Sequence, residues 1–183
     1  MASIKLRPNG STGSDWSNMT NAYDGNESTC ASVSASRFSY SSRYISLNFD
    51  TSVIPSGATI NSATLTLRSK AGKTTMSAYV DINGDSQYRV INQKQSTKVT
   101  NYTADITNYM SDLSLIMVTP YNSNWSANTF ELYELWIDVD YTEPTAPTNT
   151  LNIKLGSTTI NNIYLGTTKV TKVYIGSTLV FEN

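Results

Sequence analysis

Apolar and polar residues alternate along most of this chain, in short runs that end at turn-forming residues. Residues 2–7 alternate with Ile4 and Leu6 on one side, and residues 43–50 with Ile45, Leu47 and Phe49. Residues 59–69 set Ala63, Leu65 and Leu67 against Thr64, Thr66 and Arg68. A period of two marks a strand with one buried face. Pro55-Ser56-Gly57 punctuates the last two runs. Residues 76–82 and 87–91 flank Asn83-Gly84, the dipeptide best suited to a two-residue hairpin turn. Residues 30–34 and 114–119 read as short strands, and residues 8–15 and 120–128 as polar loops. Residues 104–113 form the one helix candidate, with Ile106, Met110 and Leu113 at helical spacing over one or two turns.

The longest alternating run is 129–142. Leu135, Ile137, Val139 and Tyr141 share one face, and Glu134, Trp136, Asp138 and Asp140 the other. Phe130 and Leu132 are out of phase with the first set, which predicts a bulge or change of face between 132 and 135. Some eight strands with short turns and almost no helix imply an all-β chain, an antiparallel two-sheet sandwich over residues 1–142.

A Pro-containing linker, 143–150, separates that sandwich from a ten-residue unit written three times over 151–183: LNIKLGSTTI, NNIYLGTTKV, TKVYIGSTLV. Gly156-Ser157, Gly166-Thr167 and Gly176-Ser177 place Gly first in a two-residue loop, as a type II′ hairpin turn requires. Folded in that register, Leu155 faces Thr158 and Ile153 faces Ile160, and Ile160 faces Ile163 across an Asn161-Asn162 turn. Followed to the end as one meander, Ile153, Leu155, Ile160, Ile163, Leu165, Val170, Val173, Ile175 and Val180 fall on one face. Burial is worth roughly 1.5–3 kcal/mol per large aliphatic. A single sheet with such a face needs a second layer, supplied by the sandwich, sister copies or another protein. The repeat is therefore expected to be an assembly or docking module.

Composition narrows the functions. The net charge is −1, which gives no field for nucleic acid or acidic lipid, and no apolar run is long enough to span a bilayer. There is no histidine, which removes the commonest general base and the commonest transition-metal ligand. One cysteine, Cys30, excludes an intrachain disulfide and reads as a small buried residue. The opening MASIKLRPNG lacks the apolar core of a signal peptide, so synthesis in a cytoplasm is expected.

Tyrosine (12) far outnumbers phenylalanine (4), which suits exposed β surface and contact with polar ligands. Sugars are held by aromatic rings against their apolar faces and by amides or carboxylates at their hydroxyls. Trp125 in the loop after Tyr121 is the first candidate platform, with Tyr121, Trp16 and Tyr23 beside it; Tyr40 and Trp136 are further candidates. Asp24-Gly25-Asn26-Glu27 could aim Asp24 and Glu27 at one calcium ion, or form a plain Asx turn. Asp81-Ile82-Asn83-Gly84-Asp85 begins like a calcium loop, but position 92 is Asn where a closing Glu belongs. No other cofactor is expected. The pairs Asp24/Glu27 and Asp138/Asp140 are the only ones suggesting glycoside hydrolysis, and a catalytic role is not expected of them.

Several motifs carry a resemblance. Trp16 and the run Asn21-Ala22-Tyr23-Asp24-Gly25-Asn26-Glu27-Ser28-Thr29 resemble the opening of jelly-roll domains in bacteriophage structural proteins. The run from Ile54-Pro55-Ser56-Gly57 to Ala63-Thr64-Leu65 resembles a strand-turn-strand of the same domains, and residues 135–142 are similar to their last strand. The units at 163–166 and 173–176 resemble short repeats that end phage tail and head-fibre proteins. The resemblance implies a jelly-roll form of sandwich in a virion accessory component: a head fibre, a capsid decoration or a tail-associated subunit. It also implies other virion proteins as partners, a homo-oligomer with trimers common, contact with host-surface polysaccharide, and residence on the virion. Where that family often has glycine in the final strand, this chain has Glu134. Non-enzymatic structural service in a virion is the first functional expectation, a carbohydrate-binding module the second and a glycan depolymerase the third.

Replacing Ile163 or Val173 by Asp is expected to lower the solution mass of the full chain, measured by light scattering, while the sandwich keeps its melting transition. Loss of both together would place the repeat in the core of the sandwich.

Overall fold

The computed structural model describes residues 1–36 and 43–144, together with the strands of the terminal repeat. Two units are distinguished, Met1–Pro144 and Thr145–Asn183.

The first unit is an antiparallel two-sheet sandwich assembled around β10 (Asn128–Thr142), a strand of 15 residues. One edge of β10 is shared by two shorter strands. β3 (Ala31–Ala35) pairs with its first part, Asn128 to Leu132, and β1 (Ala2–Leu6) with its second, Ile137 to Tyr141. Along the other edge lies β5 (Thr59–Ala71), followed outward by β8 (Thr100–Asp105). The second sheet has the order β2 (Gly10–Gly13), β4 (Ile45–Asn48), β9 (Leu115–Asn122), β6 (Met76–Ile82) and β7 (Arg89–Lys94). Every connection except the β6–β7 hairpin crosses from one sheet to the other, the jelly-roll manner of winding.

The register of β10 against β5 shifts between Leu132 and Glu134. Tyr133 is the extra residue of the expected bulge. It resets the alternation, so that Phe130 and Leu132 before it and Leu135, Ile137 and Val139 after it all reach the interior. They meet Leu65 and Leu67 of β5, Ile45 and Leu47 of β4, and Ile116 and Val118 of β9 in one core. Trp16 joins that core. Its ring meets Phe130 edge-on at 6.0 Å between centroids, and its loop is stitched to β3 by a bridge between Ser17 and Ser32.

Four local expectations change. Residues 8–15 are not all loop, because β2 pairs with β4 from Gly10↔Asn48 to Gly13↔Ile45. At Gly13 an added Cβ would stand 2.7 Å from the Tyr44 carbonyl oxygen, so the close approach of the two chains needs glycine. The helix expected over 104–113 is absent. Its first residues end β8, and a single 3-10 turn, Thr107–Tyr109, follows. The spacing of Ile106, Met110 and Leu113 reflects burial of all three by an irregular segment. Pro120 to Asn122 extend β9. Pro120 fits because β4 pairs only with Leu115 to Val118, so no ladder partner on that side needs its missing N–H. Cys30 is half-buried rather than enclosed, with Sγ 3.9 Å from Glu131 Oε2. Burial first and Glu131 second push its thiol pKa up, so the thiol form is favoured.

In the second unit each ten-residue repeat forms its own two-stranded hairpin: β11 (Lys154–Leu155) with β12 (Thr158–Thr159), β13 (Ile163–Leu165) with β14 (Thr168–Val170), and β15 (Lys172–Ile175) with β16 (Thr178–Glu182). Leu155 pairs with Thr158, Ile163 with Val170 and Leu165 with Thr168, the expected register. The continuous meander does not form among the described residues. Lys172 already belongs to β15, which leaves one residue after Val170, too few for a two-residue hairpin turn. In the last hairpin a shift between Val173 and Tyr174 sets Val173 opposite Phe181, so Phe181 takes the position expected for Val180. Val170 and Val173 are half-buried, while Ile153 and Ile160 lie outside the described residues.

Trp16→Ala should destabilise the sandwich by about 3–5 kcal/mol. Chemical denaturation measures it, and a loss below 1 kcal/mol would mean that Trp16 is not a core residue.

Candidate functional site

Of the described aromatic residues expected to meet ligand, Trp125 stands most open to solvent, at 73% exposure. Its loop is braced from below by two buried asparagines. The Asn122 amide nitrogen lies 2.9 Å from the Ser126 carbonyl and 3.3 Å from that of Ala35, while its amide oxygen accepts from the Asn124 N–H at 3.1 Å. Asn128 donates to the Lys73 carbonyl at 3.1 Å. Its amide oxygen would be 2.8 Å from a Cβ at Gly72, so a side chain there would displace the Asn128 amide. The Trp125 N–H is held by Asn124 Oδ1 at 2.7 Å, and Lys73 Nζ donates to Ser126 Oγ at 2.9 Å. An indole is thus held in water by a loop whose own polar groups are satisfied. Asn124 and Ser126 flank it in sequence, and Lys73 reaches the loop through Ser126.

Tyr121 lies on the outward face of β9, stacked on Tyr79 of β6 with centroids 5.9 Å apart and rings 18° from parallel. Arg89 covers the Tyr79 ring at 4.2 Å and holds Asp81 through Nε at 2.8 Å and Nη2 at 3.1 Å. Asp81 is therefore the carboxylate of a bidentate ion pair. Asn83 spends its amide on Asp112, Ser114 and Leu115. Asp81 and Asn83, in the run that begins like a calcium loop, both have structural work, and the Asn-Gly hairpin accounts for the run: Asn83 and Gly84 have φ of 52° and 72°, as a type I′ turn needs.

The other expected ligand residues are placed differently. Trp16 is in the core at 9% exposure, because its loop packs over Phe130, so it is no platform. Tyr23 packs partly on the core, with its hydroxyl 3.2 Å from Ser11 Oγ. Trp136 is buried under Lys5, whose Nζ sits 4.5 Å from the ring centroid, and its Nε1 donates to Asp138 at 2.7 Å. Tyr40 lies outside the described residues. Asp138 also meets Lys5 at 3.6 Å, and Asp140 accepts from Ser62 at 3.1 Å.

Asp24 forms an Asx turn. Its oxygens accept from the Asn26 N–H and the Thr29 hydroxyl, both at 2.8 Å. Glu27 turns away to Arg68, 3.4 Å distant. The structure does not direct this pair at one point, and no group of three or more acidic, Cys or His residues suited to a metal occurs among the described residues. The carboxylate that does reach this loop is Glu134, which follows the bulge at Tyr133 and pairs with Arg68 of β5. Its side chain is 1% exposed, with Oε1 accepting from the Gly25 N–H at 2.5 Å and Oε2 3.5 Å from Arg7 Nε. Burial pushes the Glu134 carboxyl above its ordinary range; the Gly25 N–H and Arg7 pull it down without cancelling that effect.

Sequence reading missed a cleft at the other end of the second sheet. Ile82, Asn83, Tyr88, Asn108, Tyr109 and Asp112 line a space of about 290 Å³. Tyr88 and Tyr109 stand at 61° to each other with centroids 5.9 Å apart. They come from two irregular segments far apart in sequence, so no periodic pattern links them. Asn83-Gly84 was the available signal, since its side chain ties the 107–114 segment to the hairpin.

No family model matches this sequence, and no curated protein matches it. Among solved structures, the chain is similar to a CBM32 module of AlyQ in complex with 4,5-unsaturated mannuronic acid (16% identity, 73% of this chain and 97% of that one, TM-score 0.44). It is also similar to a family 29 carbohydrate-binding module from Piromyces equi (14% identity, 75% and 91%, TM-score 0.43). A third is the family 32 module from C. perfringens NanJ in complex with galactose (13% identity, 74% and 99%, TM-score 0.43).

Since the folded Glu134 carboxyl holds its proton more tightly than it does in the unfolded chain, its ionisation costs stability as pH rises from 4.5, the ordinary value, through the raised one. Glu134→Gln removes that cost. Across this window the melting temperature of the variant should gain on that of the native chain as pH rises, and a constant or shrinking difference would contradict the raised value.

Proposed function

We propose that the sandwich is a non-catalytic carbohydrate-binding module whose platform is Trp125. The observation that carries this reading is the 73% exposure of an indole on a loop fixed by buried Asn122 and Asn128. Holding a large apolar ring in water on a satisfied backbone leaves it preorganised for a ligand with one apolar face. A pyranose ring has such a face, and its hydroxyls can meet Asn124, Ser126 and Lys73. Binding rather than hydrolysis fits the carboxylates proposed for catalysis, since Asp24, Glu27, Asp138 and Asp140 all have protein partners.

Display of such a module on a phage particle, against a host-surface polysaccharide, is the setting that the resemblance to virion proteins suggests. That part rests on sequence motifs alone. The terminal repeat would then provide attachment through its aliphatic positions, either between copies or to another virion protein.

Titrating the full chain with bacterial surface polysaccharides should change its tryptophan fluorescence. With Trp16 and Trp136 buried, the change reports chiefly on Trp125. Trp125→Ala should weaken binding by about tenfold or more with an unchanged melting temperature. Undiminished binding by the variant, or no binding to any polysaccharide of the panel, would overturn this reading.

A further inference from the structure

We propose a second carbohydrate subsite, in the cleft lined by Asn83, Tyr88, Asn108, Tyr109 and Asp112, that takes a neutral pyranose residue. This rests on the sandwich being a glycan-binding module but not on Trp125 being its platform. The two places are separate. The Trp125 loop follows the last residue of β9, whereas the cleft adjoins its first, where the Asn83 N–H meets the Leu115 carbonyl at 2.9 Å. At roughly 3.4 Å per residue, the eight residues of β9 are about 24 Å long. One monosaccharide cannot touch both.

The cleft is built rather than incidental. Asn83 Oδ1 accepts from the Ser114 N–H and hydroxyl at 3.0 Å and from the Leu115 N–H at 3.3 Å, and its Nδ2 donates to the Asp112 carbonyl at 2.9 Å. That strap fixes the wall carrying Asn108, Tyr109 and Asp112 against the hairpin. On the hairpin side, Asp85 accepts from the Gln87 N–H at 2.9 Å and caps the turn Ser86–Tyr88. Asp105 does the same for the Thr107 N–H and hydroxyl, at 2.9 and 2.6 Å. With these bonds the backbone that carries the lining residues is tied down on both sides before any ligand arrives.

Those groups suit a sugar. Tyr88 is 47% exposed, and Tyr109, packed on the core, meets it edge-on, so that the two rings make one wall. The Asn108 amide, the Asp112 carboxylate and both phenol hydroxyls have no hydrogen-bond partner among the described residues, and all remain for a ligand. A carboxylate accepts from two adjacent hydroxyls, an amide both donates and accepts, and a tyrosine ring covers a C–H face. The volume of about 290 Å³ lies at the bottom of the usual range for ligand pockets, the size for one or two sugar units. Charge selects further. Asp112 and the nearby Asp85 are negative, and the neighbouring cation, Arg89, is engaged with Asp81. A uronate or other acidic sugar is disfavoured.

The test is an amide NMR titration of the full chain with methyl glycosides of glucose, galactose, mannose and N-acetylglucosamine, with methyl glucuronide as the acidic comparison. At least one neutral glycoside should shift the signals of Asn83, Tyr88, Asn108 and Asp112 saturably, in the native chain and in Trp125→Ala alike. Tyr88→Ala and Asp112→Asn should each weaken that response by about tenfold. If no neutral glycoside moves these signals while the Trp125 indole responds, the second subsite is wrong and the Trp125 platform stands. Response in the cleft without any at Trp125 supports the subsite and removes the platform. Equal or tighter binding of the glucuronide overturns the assignment to neutral sugars.

Discussion

One extra residue in β10 holds this sandwich together. Strict alternation along Asn128–Thr142 would send Phe130 and Leu132 to the face opposite Leu135 and Ile137. Tyr133 absorbs the mismatch, and the whole strand turns its apolar side inward. The same bulge lies between the stretches paired with β3 and β1, so one long strand supports two short neighbours along a single edge. Glu134, the next residue, lies beneath the N-terminal loop, where the Gly25 N–H and Arg7 meet it and fasten that loop to the first sheet. The position at which the resembling domains often have glycine is here a buried anchor.

From that centre outward, rigidity is supplied by amides. Asn122 and Asn128 brace one end of the second sheet, and Asn83 braces the other. In each case a side chain satisfies backbone groups that an irregular segment would leave unpaired, beside an aromatic ring open to solvent. An Asn-rich composition, with few charges, therefore serves the loops as much as the surface. The aromatic residues divide accordingly: Trp16 and Trp136 stabilise the interior and its border, whereas Trp125 and Tyr88 project from braced loops.

The repeat shows how far a periodic pattern carries. Its turn residues determine the pairing inside each hairpin, because a Gly-first two-residue loop admits only one register. Among the described residues, neighbouring hairpins are not paired with one another. The shift that brings Phe181 opposite Val173 in the last unit has no counterpart in the first two.

Period-two alternation, taken alone, determined the class of the fold, most of its strands and the bulge, because one-sided burial writes itself into neighbouring residues. The same local reading mistook residues 104–113 for a helix: burial of Ile106, Met110 and Leu113 imitates helical spacing when a strand end and a 3-10 turn are packed by the rest of the molecule. It could not tell Trp16 from Trp125, since both stand in Ser- and Asn-rich loops and differ only in whether Phe130 lies beneath them. The pairing of Tyr88 with Tyr109, the bidentate hold of Arg89 on Asp81 and the reach of Glu134 to Gly25 were decided by tertiary structure alone. Each joins residues from separate segments, and a distance across the fold leaves no period in the chain.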